Sequence, residues 1–219
     1  MSEIGVLSLA ERVDPKTTAL VVVDVQNDFC HSDSPLAKAG NDMSAAQDMV
    51  PHLLQLVDAA RGAGTTIIWV KMLHAEYTTS PSNTEHRQRT RPNTALICQE
   101  GTFGIEFYRV EPEAGEPIVV KHRYSAFVDT DLQLILRSRG ITSLILTGVA
   151  TNVCVESTAR DGYMRDYFIT FASDCSATYD QAKHEATLRN MADHFGVVAT
   201  SDEIMEAWAR VPAMAGSAG

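Results

Sequence analysis

No stretch of this 219-residue chain stays apolar for anything close to the ~20 residues that cross a bilayer. The opening segment, MSEIGVLSLAERVDPK, is too polar and too acidic for a secretory signal, so a cytoplasmic protein is expected. Cysteine is scarce: Cys30, Cys98, Cys154 and Cys175 form no C-x-x-C pair and no zinc pattern, which makes reduced thiols the default. Positive charge is in deficit, with 18 Lys and Arg against 28 Asp and Glu and a net charge of −10. An acidic surface argues against nucleic-acid and anionic-membrane partners. There is no G-x-x-x-x-G-K-[ST] loop and no G-x-G-x-x-G after the first strand, so phosphate and dinucleotide cofactors lack support. A G-x-S-x-G elbow and an H-E-x-x-H helix are missing too, and the seven histidines are scattered.

What is present is alternation. The run ALVVVDV (19–25) is nearly all apolar with one acid inside, as suits a parallel strand buried on both faces. Polar residues and turn formers follow. A helical pattern then runs through Met49, Val50, Leu53, Leu54, Val57 and Ala60, with Pro51 best placed in its first turn and Gly62 and Gly64 ending it. Further strands read at 65–72, 116–122, 142–148, 167–174 and 196–200. Helices read at 130–138, with Thr130 as N-cap and Gly140 as stop, from about Asn152, and at 181–195. Thr200 and Glu203 fit a capping box for a last helix. The tail MAGSAG reads as frayed. Such alternation implies βαβ units and a parallel sheet with helices on both faces, an α/β fold in one domain over 1–219. Residues 74–115 break the pattern and read as a long loop or insert for binding or subunit contact.

Ligands of such sheets bind beyond the C-terminal strand ends. Asp24, Lys121 and Cys154 lie there, after the first, third and fourth strands. Cys154 falls at a strand-to-helix junction, where free N–H groups and the helix dipole favour a thiolate. The same N–H groups can hold a negative oxygen. A nearby lysine favours the thiolate further, and an aspartate can take the thiol proton and pass it to a leaving amine. Each residue also has a plainer reading. Asp24 could cap its loop, Lys121 could be solvated, and Cys154 could be a small buried hydrophobe. The basic run RQRTR, with Arg87, Arg89 and Arg91, is either a solvated loop or a device for capturing a substrate carboxylate.

Three segments, VVVDVQNDF (21–29), KHRYSAF (121–127) and TGVATNVCVESTARDGY (147–163), resemble the isochorismatase-like cysteine hydrolases, in the right order over nearly the whole chain. The resemblance implies a three-layer α-β-α, Rossmann-like fold with a six-stranded parallel sheet. It implies an Asp-Lys-Cys triad at Asp24, Lys121 and Cys154, and a cis peptide between Val149 and Ala150. It also implies an oxyanion hole from the Ala150 and Cys154 N–H groups. Metal-binding nicotinamidases of this family carry an Asp-x-His element after the second strand; KMLHAEYTT here lacks it, so no metal and no cofactor are expected. Members that cleave a vinyl ether lack the cysteine, so Cys154 points to C–N hydrolysis. The segments ATNVCVESTARDGY and EGTFGIEFY (100–108) most resemble ureidoacrylate amidohydrolase-type members of pyrimidine breakdown. Substrates of the ureidoacrylate, biuret, triuret or N-carbamoyl amino-acid type follow, cleaved through a thioester-type intermediate. Gln26, Asn27, Phe29 and Tyr124 are candidates for lining the pocket, Phe29 being equally suited to the core. A homodimer or homotetramer is implied. The alternatives are an amidase for another aromatic or heterocyclic amide, and a non-catalytic or thiol-sensing domain.

Overall fold

A computed structural model describes residues 5–210, so the tail MAGSAG lies outside the described residues. Six strands form one sheet: β1 (Thr18–Val23), β2 (Thr66–Met72), β3 (Ile118–Lys121), β4 (Ser143–Val149), β5 (Phe168–Ala177) and β6 (Val197–Ala199). Their order is β3-β2-β1-β4-β5-β6, and every pairing is parallel. Burial dictates the sequence character. Every residue of β1 and β4 is buried, hence their unbroken apolar runs, whereas edge strand β3 alternates exposed and buried.

The helices are α1 (Leu9–Arg12), α2 (Asn27–Cys30), α3 (Pro35–Lys38), α4 (Ser44–Ala63), α5 (Pro81–Thr90), α6 (Leu132–Ser138), α7 (Glu156–Tyr163), α8 (Gln181–His194) and α9 (Ser201–Ala209). From β1 to β2 the chain moves one way along the sheet, and from β3 onward it moves the other way. Right-handed crossovers therefore put α4 on one face and α6, α7 and α8 on the other, giving three layers. Helix α9 returns to pack on α4. The reversal point lies between β1 and β4, where open α/β sheets leave a crevice. Register finishes the arrangement. Val23 stands opposite both Val70 and Gly148, and Met72 stands opposite Lys121, so these strand ends come level at one edge.

Several local expectations change. Pro51 sits inside α4 rather than in its first turn, because burial of Ala46, Met49 and Val50 carries the helix through it while the proline stays on the exposed face. Leu54 is exposed and Leu56 takes the core position. Gly62 is helical, and Gly64 alone ends α4, in the left-handed conformation. Helix α6 starts at Leu132 with Asp131 as N-cap; the Thr130 hydroxyl instead accepts from the Leu132 N–H at 3.2 Å. The capping box of Thr200 and Glu203 is formed. The polar stretch after β1 holds the one-turn helices α2 and α3, the latter opened by Ser34 and Pro35. Residues 74–115 are not all loop, since they contain α5 and two 3₁₀ turns, Glu76–Thr78 and Phe103–Ile105.

Candidate active site

Asp24 is the first residue past β1, and its φ of 55° lifts it out of the strand path. Lys121 is the last residue of β3. Its Nζ stands 2.7 Å from Asp24 Oδ2 and also donates to the Arg123 carbonyl at 3.0 Å. Both side chains are fully buried. Lys121 is thus not solvated, and the Asp24 carboxylate reaches across β2 to Lys121 instead of capping its own turn. Such a pair survives only together, because either charge alone in this interior would be strongly unfavourable. Burial raises the Asp24 carboxyl above its ordinary value, with Lys121 opposing. For Lys121, burial lowers the ammonium, but Asp24 and Cys154 outweigh it and hold the lysine above its ordinary range.

Cys154 interacts with both members of the pair and is 4% exposed. Its surroundings reverse the acidity expected from sequence. The segment Thr151–Val155 is a π-helical turn rather than the open first turn of an α-helix, so Cys154 sits within the wound backbone and α7 starts only at Glu156. Burial pushes the thiol up to about 12, Asp24 adds to this, and Lys121 offsets only part. A thiol raised in this way calls for an activating base, and Asp24 stands beside it.

The turn around the cysteine is held from several sides. The Val149–Ala150 peptide is cis. Gly148, at φ 109°, passes so close to β1 that a Cβ there would meet the Val23 carbonyl oxygen at 1.9 Å; only glycine fits. Thr151 Oγ1 lies 2.9 Å from His184 Nδ1 of α8, and Thr178 Oγ1 donates to Asn152 Oδ1 at 2.7 Å. Thr158 Oγ1 donates to the Cys154 carbonyl at 2.8 Å and accepts from the Ala126 N–H, tying the turn to the segment after β3.

The four residues considered for the pocket divide. Gln26 Nε2 donates to Met72 O at 3.0 Å and Ile105 O at 2.9 Å, while its Oε1 accepts from the Met72 N–H at 2.8 Å. Its amide is a structural clamp between the sheet edge and the segment above. Asn27 Nδ2 donates to Phe103 O at 2.9 Å and acts alike. Phe29 belongs to the core, and Tyr124 is exposed.

Sequence reading missed the residues that close the site. Asp28 Oδ2 accepts from the Cys98 N–H at 2.6 Å, and the Cys98 carbonyl accepts from the His74 N–H. Tyr179 donates to Phe29 O at 2.9 Å, after β5. His74, after β2, is held down at about 4 by burial and by the charges of Lys121, His122, Arg87 and Arg91. Asp28 stands in the one-turn helix α2 and the others in loops without periodicity, and Gly104 is held tight there, since a Cβ on it would strike the Asp28 carboxylate at 1.9 Å. A cavity of about 420 Å³ opens beside His122, lined by Thr78, Pro81, Arg123 and Asp129 among others, and not by Asp24, Lys121 or Cys154. No group of three or more His, Cys, Asp or Glu side chains able to hold a metal occurs among the described residues.

Comparison with known proteins agrees with this architecture. The family model described as the isochorismatase domain matches residues 18–203. The chain is 37% identical to the ureidoacrylate amidohydrolase RutB of Methylobacterium radiotolerans, over 94% of this chain and 86% of that protein. Among solved structures, a cysteine hydrolase from Pseudomonas syringae pv. phaseolicola superposes with a TM-score of 0.81 at 27% identity, over 95% of this chain and 99% of that one. The N-carbamoylsarcosine amidase of Thermoplasma acidophilum gives 0.68 at 27% identity, over 85% and 97%.

Proposed function

The chain belongs to the isochorismatase family, and from that premise we propose that it is a cysteine-dependent amidohydrolase cleaving a C–N bond of a small ureido or carbamoyl compound. The observation that carries this reading is the buried ion pair of Lys121 and Asp24, 2.7 Å apart and set against the buried thiol of Cys154. A ureidoacrylate amidohydrolase among the relatives and an N-carbamoylsarcosine amidase of the same fold support the ureido class.

In this mechanism Asp24 takes the Cys154 proton as sulfur attacks the carbonyl carbon, and Lys121 steadies the charge on both. The carbonyl oxygen becomes an oxyanion held by the Ala150 and Cys154 N–H groups. Asp24 returns the proton to the departing nitrogen, the C–N bond breaks, and a thioester remains on Cys154. A water, deprotonated by Asp24, attacks the thioester, and sulfur leaves as the thiol with the proton handed back. A carbamate released in this way decays to carbon dioxide and ammonia. A raised Asp24 carboxyl suits a group that must both accept and donate within one turnover.

The wider reading is one domain, a cytoplasmic setting and a homo-oligomer. Ile118 and Val120 support the last, leaving an apolar face of edge strand β3 49% and 44% exposed. The test of the activity is ammonia release from ureidoacrylate, biuret, triuret, N-carbamoyl amino acids and nicotinamide, with Cys154→Ala beside the wild type. Release from a ureido compound that vanishes in the variant is expected. Turnover retained in Cys154→Ala would end the mechanism.

A further inference from the structure

Side chains between the end of β5 and the opening turns of α8 reach back to the site, and none of them takes part in the steps above. Thr178 Oγ1 donates to Asn152 Oδ1 at 2.7 Å, Tyr179 Oη donates to Phe29 O at 2.9 Å, and His184 Nδ1 lies 2.9 Å from Thr151 Oγ1. Thr151 and Asn152 open the cysteine turn, and Phe29 belongs to α2, just past Asp24. The place of His184 follows from local sequence. Asp180 caps α8 by accepting from the Lys183 N–H at 3.2 Å, which fixes the start of the helix, and His184 stands one turn further on. Thr151 is fully buried, and among the described residues its hydroxyl has no other partner. A buried hydroxyl needs an acceptor for its proton. The hydroxyl therefore donates, and the half-buried ring accepts at Nδ1 as a neutral imidazole. Burial holds the His184 ring below its ordinary range, with Glu185 opposing, which fits that state.

We propose that His184 is a positioning residue: through Thr151 it fixes the turn that presents the Cys154 sulfur and the Ala150 and Cys154 N–H groups to the substrate carbonyl. The inference rests on the amidohydrolase reading above and adds the group that keeps its oxyanion site in register. Thr151 is the point from which the turn is steered. It follows Ala150 directly, and the Ala150 carbonyl accepts from the Val153 N–H at 3.0 Å and the Val155 N–H at 3.3 Å, so the turn is wound on the residue that Thr151 adjoins. A shift of Thr151 therefore moves Ala150 on one side and Cys154 on the other. Oxyanion donors act only within hydrogen-bond reach of the developing charge, so a small shift lowers kcat and leaves ground-state binding nearly intact. The competing role is a tie between α8 and the turn that serves the fold alone. Loss of such a tie lowers stability and leaves kcat of the folded protein unchanged.

The experiment measures kcat and KM of wild type, His184→Leu, Thr151→Val, the double variant and His184→Asn on the compound of the panel above that wild type hydrolyses fastest, with urea unfolding to report the fold. Each single loss should lower kcat about 10- to 100-fold with KM kept within about threefold. The double variant should be no worse than the poorer single one, since both remove one hydrogen bond. His184→Asn, whose amide oxygen reaches the place of Nδ1, should recover most of the loss. Should His184→Leu not fold, His184→Gln, whose longer side chain misplaces the amide, takes its part in the comparison with Asn. Stability lost with kcat kept, single losses that multiply in the double variant, or an Asn variant no better than Leu or Gln, overturns the proposal. If wild type hydrolyses none of the compounds, the amidohydrolase reading fails, and alkylation of Cys154 by iodoacetamide, read by mass spectrometry, decides the positioning role. His184→Leu should then speed alkylation about fivefold or more by loosening the turn around the buried sulfur, with His184→Asn close to wild type. An unchanged rate in His184→Leu overturns the role.

Discussion

The cradle at the ends of β1, β3 and β4 and the segment that covers it are built on opposite principles. In the cradle Asp24 and Lys121 are fully buried, the flanking strands β1 and β4 are buried throughout, and charges are tolerated only because they meet each other. The cover buries none of α5 and attaches farther along, through side-chain bonds such as Gln26 to Ile105 and Asp28 to Cys98 and through backbone bonds such as Asn27 N–H to Glu106 O and Tyr108 N–H to Val25 O. The difference separates two jobs. A buried cradle sets protonation states, and a cover whose helix α5 lies exposed can yield there to admit a substrate. Substitutions in the cradle should therefore harm stability and turnover together, whereas those in the cover should act on KM.

The strongest way to break this contrast is to halve the ion pair. Asp24→Asn and Lys121→Met should each cost about 3–5 kcal/mol in denaturant unfolding, by stranding a buried partner, and should abolish turnover. The double variant should be more stable than Lys121→Met alone. If the single variants unfold like wild type, the pair is not the buried contact described. Gly148→Ala comes next. Its Cβ would collide with the Val23 carbonyl at a positive φ, and a loss of about 3–5 kcal/mol is expected, with turnover falling because the cysteine turn shifts. Gln26→Ala probes the seam between the two regions. It leaves the buried Met72 N–H unpaired and loosens the cover, so a loss of about 2–4 kcal/mol and earlier proteolysis within 74–115 are expected. Substitutions at exposed positions of α5, such as Gln88→Ala, should stay within about 0.5 kcal/mol.

The smallest effect is a slope. His74 is held at about 4 in the folded protein against an ordinary 6.5. The unfolded chain takes up that proton first, so stability falls as pH drops from about 6.5 through about 4. Asp24 has the opposite sign. Its carboxyl is raised, so its contribution is present at low pH and is lost as pH rises through the folded value. In His74→Asn, unfolding measured across this window should lose the first slope and keep the second.

The same contrast explains what could be read from sequence. The cradle was legible because its physics is periodic: apolar strands and amphipathic helices place Asp24, Lys121 and Cys154 at one edge whatever the loops do. The cover was not, because PSNTEHRQRT has no apolar periodicity and only Ser80 and Pro81 mark its start, through a side-chain cap and a proline in the first turn. Gln26 and Asn27 read as candidates for the pocket; their amides satisfy carbonyls of the cover, which no one-dimensional pattern reveals. The acidity of Cys154 likewise depends on surroundings that only three dimensions reveal. A position near a helix start argues for a thiolate, but burial and the Asp24 charge outweigh it once three dimensions are known.

That protonation state is the most direct test of the account. Thiolate absorbance in the ultraviolet, taken as the difference between wild type and Cys154→Ala, should stay flat from about pH 6 to about pH 9 and rise only beyond it. This result leaves a proton on sulfur for Asp24 to take. A step completed below about pH 7 would mean that the thiolate is already formed at rest, and would contradict the role given to the ion pair.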